Sequence, residues 1–200
     1  MYQNHTLLSI SELRVLEVFL DFKKHYFAEL VKLTKLTKPR TMRVLRKLIE
    51  RNILEIKQEA NIKYYLLRKN SLVYALLSSV ESNRSVSFLE KQTTLKRAIE
   101  MFKEKYNSYL IMVIFGSQVK GYASKMSDID LLLIKEHFSI NEIKQIDDII
   151  DLINGRTGLK ISPYLMKLDE FNLNNELVKQ IVEKHILVSG GELFLRLVLE

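Results

Sequence analysis

Four residues in the middle of the chain have types and a spacing suited to phosphate chemistry: Gly116, Ser117, Asp128 and Asp130. They stand in the string IFGSQVKGYASKMSDIDLLLI, residues 114–134. The apolar run Tyr109 to Phe115 leads straight into Gly116-Ser117 and reads as a buried strand. Glycine at that point lets a phosphate approach the backbone closely. Ser117 adds a hydroxyl and its own N–H. Residues from Ser117 to about Gly121 read as the opening of a short helix, whose N-terminal amides favour anions. Ten residues, 118 to 127, then separate Ser117 from Asp128. The chain re-enters the sheet as Asp128-Ile129-Asp130. Strand alternation puts both carboxylates on one face and Ile129 toward the core. Two adjacent carboxylates repel one another. Mg²⁺ resolves that conflict, since it takes one or two carboxylates plus substrate phosphates. Phosphoryl or nucleotidyl transfer is the chemistry this arrangement serves, because positioning and charge neutralisation do most of the work there. A Gly-Ser pair or an Asp-x-Asp alone is common at strand ends; their joint occurrence at this spacing carries the reading.

This string closely resembles the DNA polymerase β-like nucleotidyltransferase superfamily in its minimal branch, over about residues 107–166. The resemblance implies that Gly116 and Ser117 contact the triphosphate of an NTP, with ATP the expected nucleotide. It implies that Asp128 and Asp130 are the catalytic carboxylates and hold Mg²⁺. A basic residue often follows the serine in that family. Gln118 occupies one such place and Lys120 another, so Lys120 is the expected phosphate contact. Active members usually add a third carboxylate on a later strand, where it activates the attacking hydroxyl. The matching strand here, Leu159 to Met166, contains no Asp or Glu, and Asp169 and Glu170 come just after it. A missing general base costs on the order of 10²–10⁴ in rate. The resemblance therefore carries nucleotide binding further than it carries transfer.

The elements around this string imply a mixed α/β (α+β) chain of two modules, residues 1–83 and 84–200, joined by the polar stretch Glu81 to Ser85. Ser9-Ile10-Ser11-Glu12 has capping-box spacing and opens a first helix reaching about Phe22. Phe27, Leu30 and Val31 mark a second. Thr37 and Pro39 open a third, lined by Leu45, Leu48 and Ile49. Ile53 to Gln58 and Ile62 to Leu67 read as strands joined by a turn at Glu59-Ala60-Asn61. Residues 71–80 read as a short helix. Leu95, Ile99, Phe102 and Tyr106 mark one face of a long helix. Strands follow at Ile129 to Ile134 and Leu159 to Met166. Between those two lies a helix, Ile140 to Ile153, stopped by Asn154-Gly155. Helices near 173–184 and 191–199 close a small mixed-sheet domain.

Charge is divided unevenly. Residues 1–83 carry 15 Lys and Arg against 8 Asp and Glu, while residues 84–200 carry 16 against 16. The whole net charge of +7 therefore lies in the first module, which suggests a polyanionic partner there. The run FAELVKLTKLTKPRTMRVLRKLIERNILEI resembles winged helix-turn-helix regulators. That resemblance implies a transcription regulator that places residues 38–47 in the major groove of double-stranded DNA, with Asn61 to Lys63 at the wing tip. Lys38, Arg40, Thr41, Arg43, Arg46, Lys47 and Lys63 are then the DNA-binding residues. A merely solvated helix face, or a winged helix used to form a homodimer, is the competing reading.

Cysteine is absent, which excludes disulfides and thiolate zinc sites and fits a reducing, cytoplasmic setting. No apolar run approaches the ~20 residues of a membrane span. The N-terminus does not read as a signal peptide. His5, His25, His137 and His185 show no paired ligand spacing, and surface or capping roles are expected for them. Three functions remain: a DNA-binding regulator that binds nucleotide, an active nucleotidyltransferase acting on a protein or small molecule, and an antitoxin that pairs with a helical toxin protein.

Overall fold

The computed structural model describes residues 8–116, 119 and 128–199. The chain divides into two compact units, Met1–Val80 with Leu199–Glu200, and Glu81–Val198.

The first unit opens with helix α1 (Ile10–Val18) and a 3-10 turn (Phe19–Asp21). The capping box forms as its sequence requires: the Ser9 hydroxyl accepts from Glu12 N–H, and the Glu12 carboxylate accepts from Ser9 N–H at 2.7 Å. A short strand β1 (His25–Tyr26), α2 (Phe27–Thr34) and α3 (Lys38–Glu50) follow. Pro39 sits in the first turn of α3, where its missing N–H removes no helix bond. Val15, Leu16, Leu30, Leu45 and Leu48 are buried and give the three helices a common core. Strands β2 (Leu54–Glu59) and β3 (Ile62–Leu67) form an antiparallel hairpin whose last pair is Glu59 with Ile62. Ala60 takes a positive φ of 50° in the turn. β1 adds to β3, a pairing too short to signal itself in the sequence, and completes a sheet of order β1-β3-β2.

Helix α4 runs from Ser71 to Glu90. The polar stretch expected to be a linker, Glu81 to Ser85, is therefore helical. It contains no Gly or Pro to interrupt the helix, and Glu81 and Ser85 are buried.

The second unit is built on a four-stranded sheet of order β6-β5-β4-β7. Helix α5 (Thr93–Lys105) precedes β4 (Ile111–Phe115), which pairs antiparallel with β5 (Ile129–Lys135). Helix α6 (Ile140–Thr157) crosses over to β6 (Ile161–Lys167), which lies parallel to β5. A 3-10 turn (Leu168–Glu170), α7 (Glu176–Glu183), β7 (Ile186–Ser189) and α8 (Gly191–Leu199) complete it. Ile129, Leu131 and Leu133 of β5 pack with Met112 and Ile114 of β4 against Leu95, Ile99 and Phe102 of α5 and Ile146, Ile150 and Ile153 of α6. Each fully buried side chain of this size contributes about 1.5–3 kcal/mol relative to exposure.

Two sequence expectations change here. α6 does not stop at Asn154-Gly155. It continues to Thr157 and ends on Gly158, which has the positive φ of 68° that a C-terminal cap needs. Asn154 instead fixes the start of β6, accepting from Ile161 N–H at 2.9 Å. Strand β7 was unforeseen. Gly190 after it, at φ 80°, lies so close to Leu110 that a Cβ would fall 2.2 Å from the Leu110 carbonyl oxygen. No helix among the described residues is long and apolar enough to cross a membrane.

Candidate functional site

β4 delivers Gly116 and β5 delivers the two aspartates to one corner of the sheet. Their antiparallel register pairs Phe115 with Asp130, so Gly116 lies immediately beyond that pair. Gly116 has φ 80°, and a Cβ built on it would fall 1.9 Å from Asp130 Oδ2. The Asp130 carboxylate thus occupies the space that any larger residue would need. The backbone angle favours glycine, and a Cβ would force the Asp130 carboxylate to turn aside. Ile129 between the aspartates is buried at 2%, while Asp128 and Asp130 are partly exposed on either side of it. That is the alternation the sequence implied.

Asp128 is held by a residue that sequence reasoning missed. Lys160 Nζ donates to Asp128 Oδ2 at 2.7 Å. The Lys160 backbone is fixed beside β5, because its carbonyl accepts from Ile129 N–H at 2.8 Å. The only available signal was the parallel register of β5 and β6, which places Ile129 opposite Ile161 and so sets Lys160 beside Asp128.

The same register places Ser162 opposite Asp130. Asp169 lies seven positions further along, on the order of 20 Å from Ser162 at strand spacing, so it supplies no third acid beside the pair. No group of three or more His, Cys, Asp or Glu positioned to hold a metal exists among the described residues. The donor set at this corner is two carboxylates. One of them bonds the Lys160 ammonium, and the other lies against the Gly116 backbone. Such a set fits Mg²⁺, which keeps several ligand positions for phosphate oxygens and water. Ser117 and Lys120 lie outside the described residues.

In the first unit, Lys38, Arg40, Arg43, Arg46 and Lys47 are all exposed on α3, and Lys63 is exposed on β3. Arg40 also donates from Nε to the Ser11 hydroxyl at 2.8 Å, tying α3 to α1. Thr41 corrects the expectation of a DNA contact. It is 0% exposed, and its hydroxyl donates to the Thr37 carbonyl at 3.1 Å. The apolar face of α3, with Val44, Leu45 and Leu48 buried, takes Thr41 inward with it.

Two of the histidines expected in surface or capping roles are buried, and His185 Nδ1 lies 3.0 Å from the Val182 carbonyl in the last turn of α7. His25, 3% exposed, sits between Asp21 Oδ1 at 3.0 Å and Glu29 Oε2 at 3.2 Å, with its ring edge-on to Phe19. Burial alone would lower its pKa, but the Asp21 hydrogen bond and the two carboxylates carry it above the ordinary imidazole value. Burial would likewise raise Asp21, yet bonds from His25 and the Lys23 N–H hold it below the usual carboxylate range. His185 meets Glu81 at 3.1 Å, both 1% exposed, and Arg84 donates to the His185 carbonyl.

Comparison with known proteins bears on the second unit as a whole. Residues 95–188 match the nucleotidyltransferase domain family. A candidate protein adenylyltransferase from Methanocaldococcus jannaschii is 33% identical over 85 residues, which is 40% of this chain and 58% of the relative. The chain thus spans little more than half the length of that relative. Among solved structures, the archaeal chromatin protein TrmBL2, described as having a novel mode of DNA binding, aligns over 90% of this chain and 74% of its own. Its identity of 18% and TM-score of 0.30 carry no argument about fold or function. Within the second unit, residues 95–188 therefore resemble a nucleotidyltransferase domain.

Proposed function

We propose that the second unit binds a nucleoside triphosphate with Mg²⁺ at the corner formed by Gly116, Asp128 and Asp130, with Ser117 and Lys120 as further phosphate contacts. The observation that carries this is the Asp130 carboxylate lying against a positive-φ glycine at the end of β4. The two neighbouring carboxylates offer oxygen donors to a hard cation, and that cation would bring the phosphates to the end of β4. Bound there, Mg²⁺ would neutralise charge on the phosphates. The chain's own part is to hold the triphosphate along the Gly116 backbone and to orient the cation with Asp128 and Asp130. Isothermal titration with ATP and Mg²⁺ tests this. Binding that survives in an Asp128→Asn, Asp130→Asn double variant would falsify the assignment.

The first unit we read as a winged helix-turn-helix that binds duplex DNA. Three helices followed by a hairpin, and five exposed cations on α3, support that reading. Gel shifts over a salt series test it, since phosphate contacts weaken steeply as salt rises. No shift at low salt rules it out. Together we read the units as a DNA-binding regulator that also binds nucleotide.

Adenylyl transfer to a protein is a second reading, favoured by the name of the Methanocaldococcus relative. Ser162, rather than an acid, stands beside Asp130, which leaves the attacking hydroxyl without a general base there. Incubation with α-labelled ATP and Mg²⁺ decides the point: labelled protein supports transfer, and an unlabelled mixture with intact nucleotide binding leaves the regulator.

A further inference from the structure

Lys160 makes an ion pair at this corner that the nucleotide- and metal-binding reading above does not use. Its Nζ lies 2.7 Å from Asp128 Oδ2, while its side chain is 72% exposed and that of Asp128 is 40% exposed. The ammonium stands on a carboxylate oxygen that a metal ion would use. Mg²⁺ coordinates such an oxygen at about 2.0–2.1 Å and demands near-octahedral geometry, so an ammonium already on that oxygen competes with the metal for it. Charge repulsion between them adds to the competition. The Lys160 backbone is pinned by its bond to Ile129 N–H, but the four-carbon stem is free to swing into solvent.

We propose that Lys160 is a built-in competitor for the divalent cation on Asp128. The chain without metal satisfies Asp128 internally, and a cation binds as the ammonium swings away. Lys160 thereby sets the metal concentration at which the site fills. This inference rests on the metal-binding role given above to Asp128 and Asp130.

The test uses the full chain and Mn²⁺ alone, without nucleotide, with free Mn²⁺ measured by electron paramagnetic resonance. Three proteins are compared with the unaltered chain: Lys160→Met, Lys160→Arg, and the Asp128→Asn, Asp130→Asn double variant. Lys160→Met should bind Mn²⁺ about three- to tenfold more tightly, the effect of removing one nearby unit charge and its exposed ion pair. Lys160→Arg keeps the charge and should stay near the unaltered affinity. The double variant should lose binding. If Lys160→Met binds equally or more weakly while the double variant loses binding, the competitor role is overturned and the metal site stands. If none of the four proteins binds Mn²⁺, or the double variant binds as well as the unaltered chain, the metal-site reading itself fails, and this inference with it.

Discussion

Asp128 and Asp130 are two residues apart at the start of β5, one bonded to Lys160 and the other pressed against Gly116. On α3, by contrast, Lys38, Arg40, Arg43, Arg46 and Lys47 all face solvent. Both regions concentrate like charge. The sheet corner does so through close contacts in which the backbone takes part, so its geometry and its stability are linked. The helix does so on a face whose packing comes from the opposite side, through Thr41, Val44, Leu45 and Leu48. Substitution should therefore separate folding from binding on α3 and fail to separate them at Gly116.

The largest effect is expected at Gly116. Gly116→Ala must displace the Asp130 carboxylate, whose Oδ2 would lie 1.9 Å from the added carbon, and adopt a backbone angle that alanine resists. It should lower unfolding free energy by about 2–4 kcal/mol and abolish nucleotide binding together. Gly158→Ala supplies the control, because φ is 68° there but nothing lies within 4 Å of the added carbon. Its cost should be only about 1 kcal/mol, read from urea midpoints. Equal losses at the two glycines would show that the Asp130 contact adds nothing.

On α3, combining Arg43→Ala, Arg46→Ala and Lys47→Ala should weaken DNA binding at least tenfold and flatten its salt dependence by up to ~0.9 in log–log slope per lost phosphate contact. Thermal stability should hold within about ±0.5 kcal/mol per substitution. Thr41→Ala should do the reverse, costing about 1 kcal/mol of stability with little change in DNA affinity per folded molecule. A Thr41 variant that folds normally and loses DNA would restore it to the binding face.

A smaller effect concerns pH in the first unit. His25 is raised above its reference of 6.5 in the folded chain, so its stabilisation is complete below that value and disappears as pH rises through the folded pKa. Asp21 is lowered below 3.8, so its share is present above that value and fades as pH falls further. The melting temperature of the first unit's transition should thus be highest between about pH 4 and pH 6.5 and fall by a few degrees, ~2–5 °C, on the alkaline side. His25→Gln should flatten that alkaline slope. The smallest change is a gain: Gly155→Ala, inside α6 with open space around it, should add about 0.5–1 kcal/mol by differential scanning calorimetry.

Much of this architecture is legible in local pattern. The Ser9 cap, the periodic faces of α1, α3 and α5, the β2–β3 hairpin and the apolar β4 and β5 runs depend on residues close together in the chain. So does the Gly116…Asp128-x-Asp130 spacing. The errors share a cause. α4 passes through a polar stretch because Glu81 finds His185, a partner 104 positions away. His25 is buried because Asp21 and Glu29 flank it once α1 and α2 turn. β1 and β7 are too short to register as strands until another strand accepts their backbone bonds.

By itself, the sequence determined that a glycine would meet two aspartates at a strand corner, because alternation and chain re-entry are local rules with period two. It also determined that the positive charge would gather on one helix, because side chains three and four apart share a face. Only the tertiary structure decided that Asp130 presses on Gly116, that Lys160 takes Asp128, that Ser162 lies directly opposite Asp130, and that Thr41 turns inward. Those four depend on the register between strands and on which helix face meets the core. Both are settled by the summed burial of many side chains, and no short window of sequence contains that sum.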